Sequence, residues 1–155
     1  MNPIESILPL AHVVLDTEAS SRKQLFEQIG RLFEEHQGIA RGPVFDSLFA
    51  RERLGSTALG QGIAIPHGRV KGLREATGAF VRLRTPLPFD APDGQPVSLL
   101  FVLLVPEQAN ETHLHMLSTL AQLFADAALR AALQGAGTPA EARGVLVDAV
   151  SNTRP

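Results

Sequence analysis

The sequence of 155 residues contains no cysteine, no tryptophan and no tyrosine. Without cysteine, neither a disulfide nor a thiolate metal site can form. The chain has 14 Lys and Arg residues against 16 Asp and Glu residues, a net charge of −2, so it lacks the basic excess that binds nucleic acid. The eight phenylalanines leave few rings on which bases could stack. We therefore predict no nucleic-acid partner.

A secretory leader and a long apolar run are also missing. The apolar N-terminal stretch has no basic leader and contains Glu5 and two prolines, Pro3 and Pro9. The most apolar later run, residues 97–105, has about half of the roughly 20 residues that a membrane helix needs, and Pro106 follows it. We predict no targeting segment, no membrane insertion and a cytoplasmic location.

Short β-type runs alternate with helical periodicity along the chain, which predicts one domain of the α/β or α+β class spanning residues 1–155. Strands are predicted at residues 13–15, 63–65, 76–84 and 97–104. Helices are predicted at residues 20–37, 43–54 and 110–124, over a shorter segment after that, and from Thr138 to a frayed end at SNTRP. Prolines and the turn dipeptide Asp93-Gly94 predict an irregular surface loop between residues 85 and 96.

The most unusual segment runs from Gly55 to Gly68, and it contains a histidine after a short predicted strand. It is not a nucleotide P-loop, because Gln61 stands where that motif needs lysine. Pro66 fixes its own φ just before His67, so we expect a rigidly held ring. A neutral imidazole attacks phosphorus or carbonyl centres at physiological pH, because one ring nitrogen keeps a lone pair. His67 is therefore the candidate nucleophile, and the alternative is a loop histidine whose hydrogen bonds are satisfied.

Two further histidines, His113 and His115, lie at the start of the predicted helix over residues 110–124. Helical spacing puts His113 in line with the apolar Leu117 and Leu120, so His113 should point inward and His115 toward solvent. Residues two apart diverge too far to bind one metal ion, which argues against a metal site here. His113 is either part of a functional site or a core-edge histidine bonded to a backbone carbonyl.

Arg51 belongs to the apolar row of its predicted helix, three and seven residues after Leu48 and Val44. Its side chain could cover apolar surface and complement the helix C-terminus. It could also bind an anionic group beside His67. Local spacing alone does not bring Arg51, His67 and His113 together.

These residues stand in a sequence that resembles enzyme IIA, the A component of the fructose and mannitol class of the bacterial phosphotransferase system, in its nitrogen-regulatory form. Four blocks carry the resemblance in family order: RERLGSTALGQGIAIPHG (residues 51–68), Thr85-Pro with Phe89-Asp90, Gln95-Pro-Val with Leu100-Phe and Leu103-Leu-Val-Pro106, and Thr112-His-Leu-His115. Glycine is expected where Ala58 stands, which puts the path of that loop in question.

The resemblance implies a three-layer α/β/α sandwich with a central mixed β-sheet and an active histidine in a shallow surface depression. It implies that His67 accepts a phosphoryl group at Nε2 from a histidine-phosphorylated carrier protein. His113 would be the auxiliary histidine beside it, and Arg51 would help to stabilise the phosphoryl group. Backbone N–H groups of the glycine-rich segment would share that task, and the reaction would need no metal ion and no cofactor.

The implied function is that of a stand-alone regulatory phosphoprotein, with no fused permease, B component or carrier segment. Its phosphorylation state would select the proteins that it binds. The resemblance suggests potassium-transport proteins, sensor kinases and regulators of nitrogen and carbon metabolism as targets. Two alternatives stay open: a sugar-specific A component that passes phosphate to a separate B component, and a binding module that works without phosphorylation.

Overall fold

The computed structural model describes residues 2–108 and 110–152. The elements in chain order are α1 (Pro3–Ile7), a short 3₁₀ helix (Leu10–His12), β1 (Val13–Thr17), α2 (Arg22–Gln37), α3 (Arg41–Leu54), β2 (Ala58–Gly60), β3 (Ile63–Ala64), β4 (His67–Val70), β5 (Thr77–Leu87), β6 (Val97–Pro106), α4 (Glu111–Phe124), α5 (Ala127–Gly135) and α6 (Pro139–Asn152). None of the helices among these residues is long and apolar enough to span a membrane.

A mixed β-sheet of six strands forms the middle layer. Five of its strands lie in the order β1-β5-β6-β3-β2, and β4 pairs with β6 farther along the same edge as β3. Strand β5 runs parallel to β1 and antiparallel to β6, whereas β3 and β4 both run parallel to β6. The predicted central mixed sheet is confirmed.

The two long strands β5 and β6 are buried on both faces because their alternate residues enter two separate cores. Phe80 and Leu103 pack with residues of α1, α4, α5 and α6, whereas Val81 and Leu100 pack with residues of α2 and α3. Helices therefore cover both sides of the sheet, and the predicted three-layer sandwich is confirmed. This double burial is also the reason for the continuous apolar run at residues 97–105.

The predicted helices form where capping residues mark their ends. Ser21 accepts a hydrogen bond from the Gln24 N–H at the start of α2, and Gly38 ends that helix with a left-handed φ of 71°. At the start of α6 the Thr138 hydroxyl oxygen accepts from the Glu141 N–H at 3.1 Å. The predicted frayed end falls in part on residues 153–155, which lie outside the described residues.

The structure also contains elements that the sequence patterns did not predict. Helix α1 and strands β2 and β4 have five, three and four residues, too few for a periodic pattern to stand out. Strand β5 continues to Leu87, into the region predicted as irregular loop, and α3 begins at Arg41, two residues before Pro43. Pro86 does not end β5 because the pairing with β6 is irregular between Arg82 and Leu87, and proline is tolerated at such an irregularity.

Candidate functional site

Strands β3 and β4 follow a single register along β6, which places His67 at the edge of the sheet. Ile63 lies opposite Leu99, and His67 lies opposite Leu103, so both pairs have the same offset. Pro66 cannot donate a ladder hydrogen bond, but its carbonyl accepts one from the Leu103 N–H at 2.9 Å. His67 is therefore the first residue of a strand rather than a loop residue, and its backbone is held against β6.

The ring of His67 has one nitrogen committed to the backbone. Its Nδ1 lies 2.9 Å from the carbonyl oxygen of Ile65, so Nδ1 carries a proton and donates it. In the neutral ring Nε2 then holds the lone pair. Burial is the largest influence on the pKa of His67 and lowers it; the Ile65 carbonyl raises the pKa, the Arg51 charge lowers it and the Glu52 charge raises it. The net lowering favours the neutral ring, which is the nucleophilic form.

A cavity of about 730 Å³ is lined by all three predicted site residues. Arg51 comes from the last turn of α3, His67 from the start of β4 and His113 from the first turn of α4. Helix α3 packs on one face of the sheet and α4 packs on the other. Because β4 lies at the sheet edge, side chains from both helical layers reach the same opening.

Gly68 allows α3 to lie close to β4. A Cβ atom at Gly68 would collide with the side chain of Ser47, whose hydroxyl donates a hydrogen bond of 2.7 Å to the Arg69 carbonyl. Arg51 follows Ser47 by four residues, so it lies on the same side of α3 one turn later. The close approach at Gly68 thus brings Arg51 to the cavity.

Two other glycines of the glycine-rich segment, Gly60 and Gly62, lie away from the cavity in a tight turn. Gly60 and Gly62, with φ of 96° and 79°, flank Gln61 in the turn between β2 and β3. The N–H of Gln61 donates to Asp93 at 2.8 Å. This turn does not line the cavity. The expectation that backbone N–H groups of the glycine-rich segment face the phosphoryl group is wrong for this turn, because its glycines form a hairpin.

Arg51 caps the end of α3 and also lines the cavity. Its Nη1 donates a hydrogen bond of 2.8 Å to the carbonyl oxygen of Gly55, just beyond the end of α3. The same side chain is half-buried and lines the cavity. Its place in the row of the buried Val44 and Leu48 agrees with the predicted helix face. The guanidinium group is thus held at one end and retains further N–H donors.

His113 forms a capping box with Asn110 at the start of α4. Its Nδ1 accepts a hydrogen bond of 3.2 Å from the Asn110 N–H, while its own N–H donates to the Asn110 side-chain oxygen at 3.3 Å. The alternative in which His113 bonds a backbone carbonyl is not seen at Nδ1, since the partner of that atom is an N–H group. An accepting Nδ1 requires the neutral ring to carry its proton on Nε2. His113 is half-buried and His115 is exposed, as their helix faces predicted.

Several lining residues were not singled out from the sequence. Arg53 and Arg69 also line the cavity, so every charged side chain among its described lining residues, apart from the histidines, is an arginine. Leu54 and Leu114, which are 85% and 57% exposed, stand beside them. Alternation along β4 places residue 69 on the same side as His67, but the sequence analysis did not predict this strand, so the signal was missed.

Ala58, where the resemblance predicts glycine, does not disturb the backbone. It is buried in β2 opposite Ala64, and its φ is not left-handed. An alanine is therefore compatible with the path of this segment. Among residues 2–108 and 110–152, no three His, Asp or Glu side chains are grouped in a way that could hold a metal ion.

Comparison with known proteins gives a consistent result. A family model described as "Phosphoenolpyruvate-dependent sugar phosphotransferase system, EIIA 2" matches residues 6–148. Proteins named nitrogen regulatory protein are similar to the chain: that of Klebsiella oxytoca is 43% identical over 85% of this chain and 82% of its own length, and that of Pseudomonas aeruginosa is 41% identical over 94% and 95%. The crystal structure of the nitrogen regulatory protein IIA-Ntr from Neisseria meningitidis superposes with a TM-score of 0.87 at 54% identity, covering 92% of this chain and 98% of that one.

Proposed function

Since the chain belongs to the EIIA type 2 family of the phosphoenolpyruvate-dependent sugar phosphotransferase system, we propose that it is a regulatory phosphoprotein whose His67 accepts a phosphoryl group. One observation carries the proposal. The Nδ1 proton of His67 is bound to the Ile65 carbonyl, so the nucleophilic Nε2 belongs to a ring that lines a cavity together with Arg51 and His113.

The transfer moves one phosphoryl group between two ring nitrogens. The lone pair of His67 Nε2 attacks phosphorus in line, while the P–N bond to the carrier's histidine breaks and its electron pair returns to that nitrogen. A carrier ring that holds a proton on its other nitrogen leaves as neutral imidazole. His67 then carries the phosphoryl group on Nε2 and retains its Nδ1 proton. The Ile65 carbonyl favours the positive charge that the product ring acquires.

The lining of the cavity suits the roughly two negative charges of a phosphoryl group. Arg51 can offer unused guanidinium N–H groups, and His113 can offer its Nε2–H without gaining a proton. Arg53 and Arg69 add positive charge at the cavity lining. The step needs no metal ion or other cofactor, because the leaving group and the nucleophile are both imidazoles.

A regulatory role is favoured over sugar transport by the relatives. The proteins of 41% to 43% identity bear the name nitrogen regulatory protein, and the crystal structure of 54% identity bears the name IIA-Ntr. The phosphoryl donor would be a histidine-phosphorylated carrier in the bacterial cytoplasm. The targets would be potassium transporters, sensor kinases and regulators of nitrogen or carbon metabolism, selected by the charge that phosphorylation adds at the cavity.

The test is the intact-protein mass after incubation with phosphoenolpyruvate, enzyme I and the carrier protein. We expect one acid-labile phosphoryl adduct on the wild type and none on His67→Ala. His115→Ala is the matched control, because His115 is exposed and does not line the cavity, and it should accept phosphate like the wild type. A full adduct on His67→Ala would disprove the assignment. If the wild type forms no adduct although the donors are active, the phosphorylation-independent binding module becomes the preferred function.

A second measurement addresses the atom and the pathway. Nitrogen-15 NMR of the phosphorylated protein should show phosphorus bonded to Nε2 of His67, because Nδ1 is occupied by its hydrogen bond. Incubation of the phosphoprotein with fructose-type and mannitol-type B components should leave the label in place. Rapid loss of the label to a B component would instead support the sugar-specific alternative.

A further inference from the structure

We propose that Glu52 is a positioning residue for phosphoryl acceptance, acting by holding the loop to which Arg51 is anchored. The inference rests on the proposed function of His67. The sequence analysis assigned no role to the carboxylate of Glu52, and the transfer of the phosphoryl group at the cavity does not itself use this carboxylate. Glu52 lies in the last turn of α3, directly after Arg51 in the chain.

The carboxylate of Glu52 is buried, and each of its oxygens has a partner. Glu52 is 6% exposed. Its Oε1 accepts from the Thr57 hydroxyl at 2.6 Å, and its Oε2 accepts from the Thr57 N–H at 3.1 Å and from Arg22 at 3.2 Å. Burial of a carboxylate is costly unless it is paired and hydrogen-bonded. We refer to Arg22, Glu52 and Thr57 as the Glu52 network.

Residue 52 holds both ends of the segment that follows α3, the near end through its backbone carbonyl and the far end through the Glu52 network. The N–H of Gly55 donates to the Glu52 carbonyl at 3.2 Å, and Thr57 is bound to the Glu52 side chain through two groups. The only residue between these anchored positions is Ser56, whose hydroxyl donates to the Phe89 carbonyl. The carbonyl of Gly55 is therefore held in place relative to α3.

That carbonyl is the acceptor for Arg51. The Nη1 of Arg51 donates to it at 2.8 Å, and this bond orients the guanidinium group beside His67. A movement of the segment would shift the acceptor and release the guanidinium group. Displacement of a charged group by about 1 Å can slow a positioned reaction roughly 100-fold. Glu52 thus acts on the reaction through Arg51, without lining the cavity.

The Glu52 network also joins α3 to α2 and to the loop after β5. Arg22 contacts Glu52 and, through its other terminal nitrogen, the carboxylate of Asp90 at 3.0 Å. The pair with Asp90 is exposed and contributes little, whereas the Glu52 side chain is 3% exposed. Arg22 of α2 therefore bridges Glu52 on α3 and the loop that carries Asp90.

The principal variant is Glu52→Gln, which keeps the shape of the side chain. Its amide nitrogen can only donate, so the Thr57 hydroxyl would have to turn from donor to acceptor, and the negative charge that pairs with Arg22 and strengthens both bonds from Thr57 is lost. We expect the initial rate of phosphoryl acceptance to fall roughly 10-fold to 100-fold. Thr57→Val, which removes the hydroxyl bond and keeps the Glu52 charge, should produce a smaller decrease of the same kind and serves if Glu52→Gln does not fold.

Two controls separate positioning from a general loss of structure. Glu34→Gln is matched, because Glu34 accepts hydrogen bonds from the backbone and guanidinium of Arg41 but neither Glu34 nor Arg41 lines the cavity. This variant should accept phosphate at the wild-type rate. In a protein that already carries Arg51→Ala, Glu52→Gln should change the rate by less than about 2-fold, since the group through which it acts is gone.

The outcomes divide clearly. Wild-type rates in Glu52→Gln, or equal losses with and without Arg51, would overturn the role of Glu52 and leave His67 as the acceptor. If the wild type accepts no phosphate, the proposed function fails, and NMR of the arginine side chains decides the positioning role. A resolved Arg51 guanidinium signal that is lost in Glu52→Gln supports it, and an unchanged signal overturns it.

Discussion

His12 and His67 make the same hydrogen bond in two different surroundings. In each ring Nδ1 lies 2.9 Å from a backbone carbonyl oxygen, that of Gly78 for His12 and that of Ile65 for His67. Burial is the main cause that lowers the pKa of both rings. The local bond and the direction of the pKa shift therefore do not distinguish a structural histidine from a candidate acceptor.

The surroundings of the two rings differ. His12 is 1% exposed and packs edge-on against Phe33, with the ring centroids 5.0 Å apart. His67 is half-buried and lines a cavity that it shares with Arg51. An incoming phosphoryl group needs open space beside a ring nitrogen and positive charge nearby, and only the second ring has both. Accessibility and neighbouring positive charge, rather than the local hydrogen bond, therefore support His67 as the acceptor.

The largest expected effect on stability is at His12. His12→Ala removes a buried ring and leaves the Gly78 carbonyl without its donor, so the free energy of unfolding should fall by about 2–4 kcal/mol. His67→Ala should cost less than about 1 kcal/mol, because its hydrogen bond spans two residues at the sheet edge. Urea unfolding measures both. Similar decreases in the free energy of unfolding for the two variants would contradict the difference between a structural His12 and an accessible His67. So would a folded His12→Ala protein that no longer accepts phosphate.

His113 allows the capping role and the role at the cavity to be separated. His113→Ala removes the side-chain acceptor for the Asn110 N–H and should destabilise the protein by about 1 kcal/mol. It should also slow phosphoryl acceptance by roughly 10-fold, since one donor beside the phosphoryl group is lost. His113→Gln can restore the capping box and should recover the stability but only part of the rate. Wild-type rates in both variants would contradict a role at the cavity.

The smallest effect is the pH dependence of stability. Burial lowers the pKa of folded His12, with a smaller lowering from the charge of nearby His36, so the unfolded chain gains a proton first on acidification. Stability is therefore full above the unfolded pKa of about 6.5 and falls as the pH drops toward the folded value. From about pH 7.5 to pH 6 this group should account for a loss below about 1 kcal/mol.

His12→Gln removes the titrating ring and retains an N–H donor for the Gly78 carbonyl. Its free energy of unfolding should depend less on pH over this range than that of the wild type. Urea unfolding at several pH values gives the slope for each protein. An unchanged slope would mean that His12 is protonated in the folded protein as readily as in the unfolded chain.

Helix faces and caps could be predicted from the sequence because they depend on residues within one or two turns. Asn110 caps α4, Gly38 ends α2, and His113 and His115 lie on the predicted sides. The setting of His67 was harder to predict. Strand β4 has four residues, and its register depends on a partner, β6, more than thirty residues away.

Local patterns did not identify the neighbours of Gly68 and Glu52. A glycine is compatible with a turn or with the close approach of another group, and the packing of Ser47 on α3 decides between them for Gly68. A glutamate next to two arginines reads as a solvated charge, yet Glu52 is buried because Thr57 and Arg22 return to it. The surroundings of Gly68 and Glu52 depend on which helices, strands and loops pack together, and sequence periodicity contains no information about that packing.

Periodicity, capping residues and a long motif are local properties of the chain, and they were enough to predict a mixed α and β fold, the capped ends of α2 and α4, and the phosphotransferase family. That Arg51, His67 and His113 line one cavity, and that Glu52 is buried without lining it, depends on how distant elements pack. Those residues come from α3, β4 and α4, and their meeting depends on two helical layers packing on opposite faces of one sheet edge.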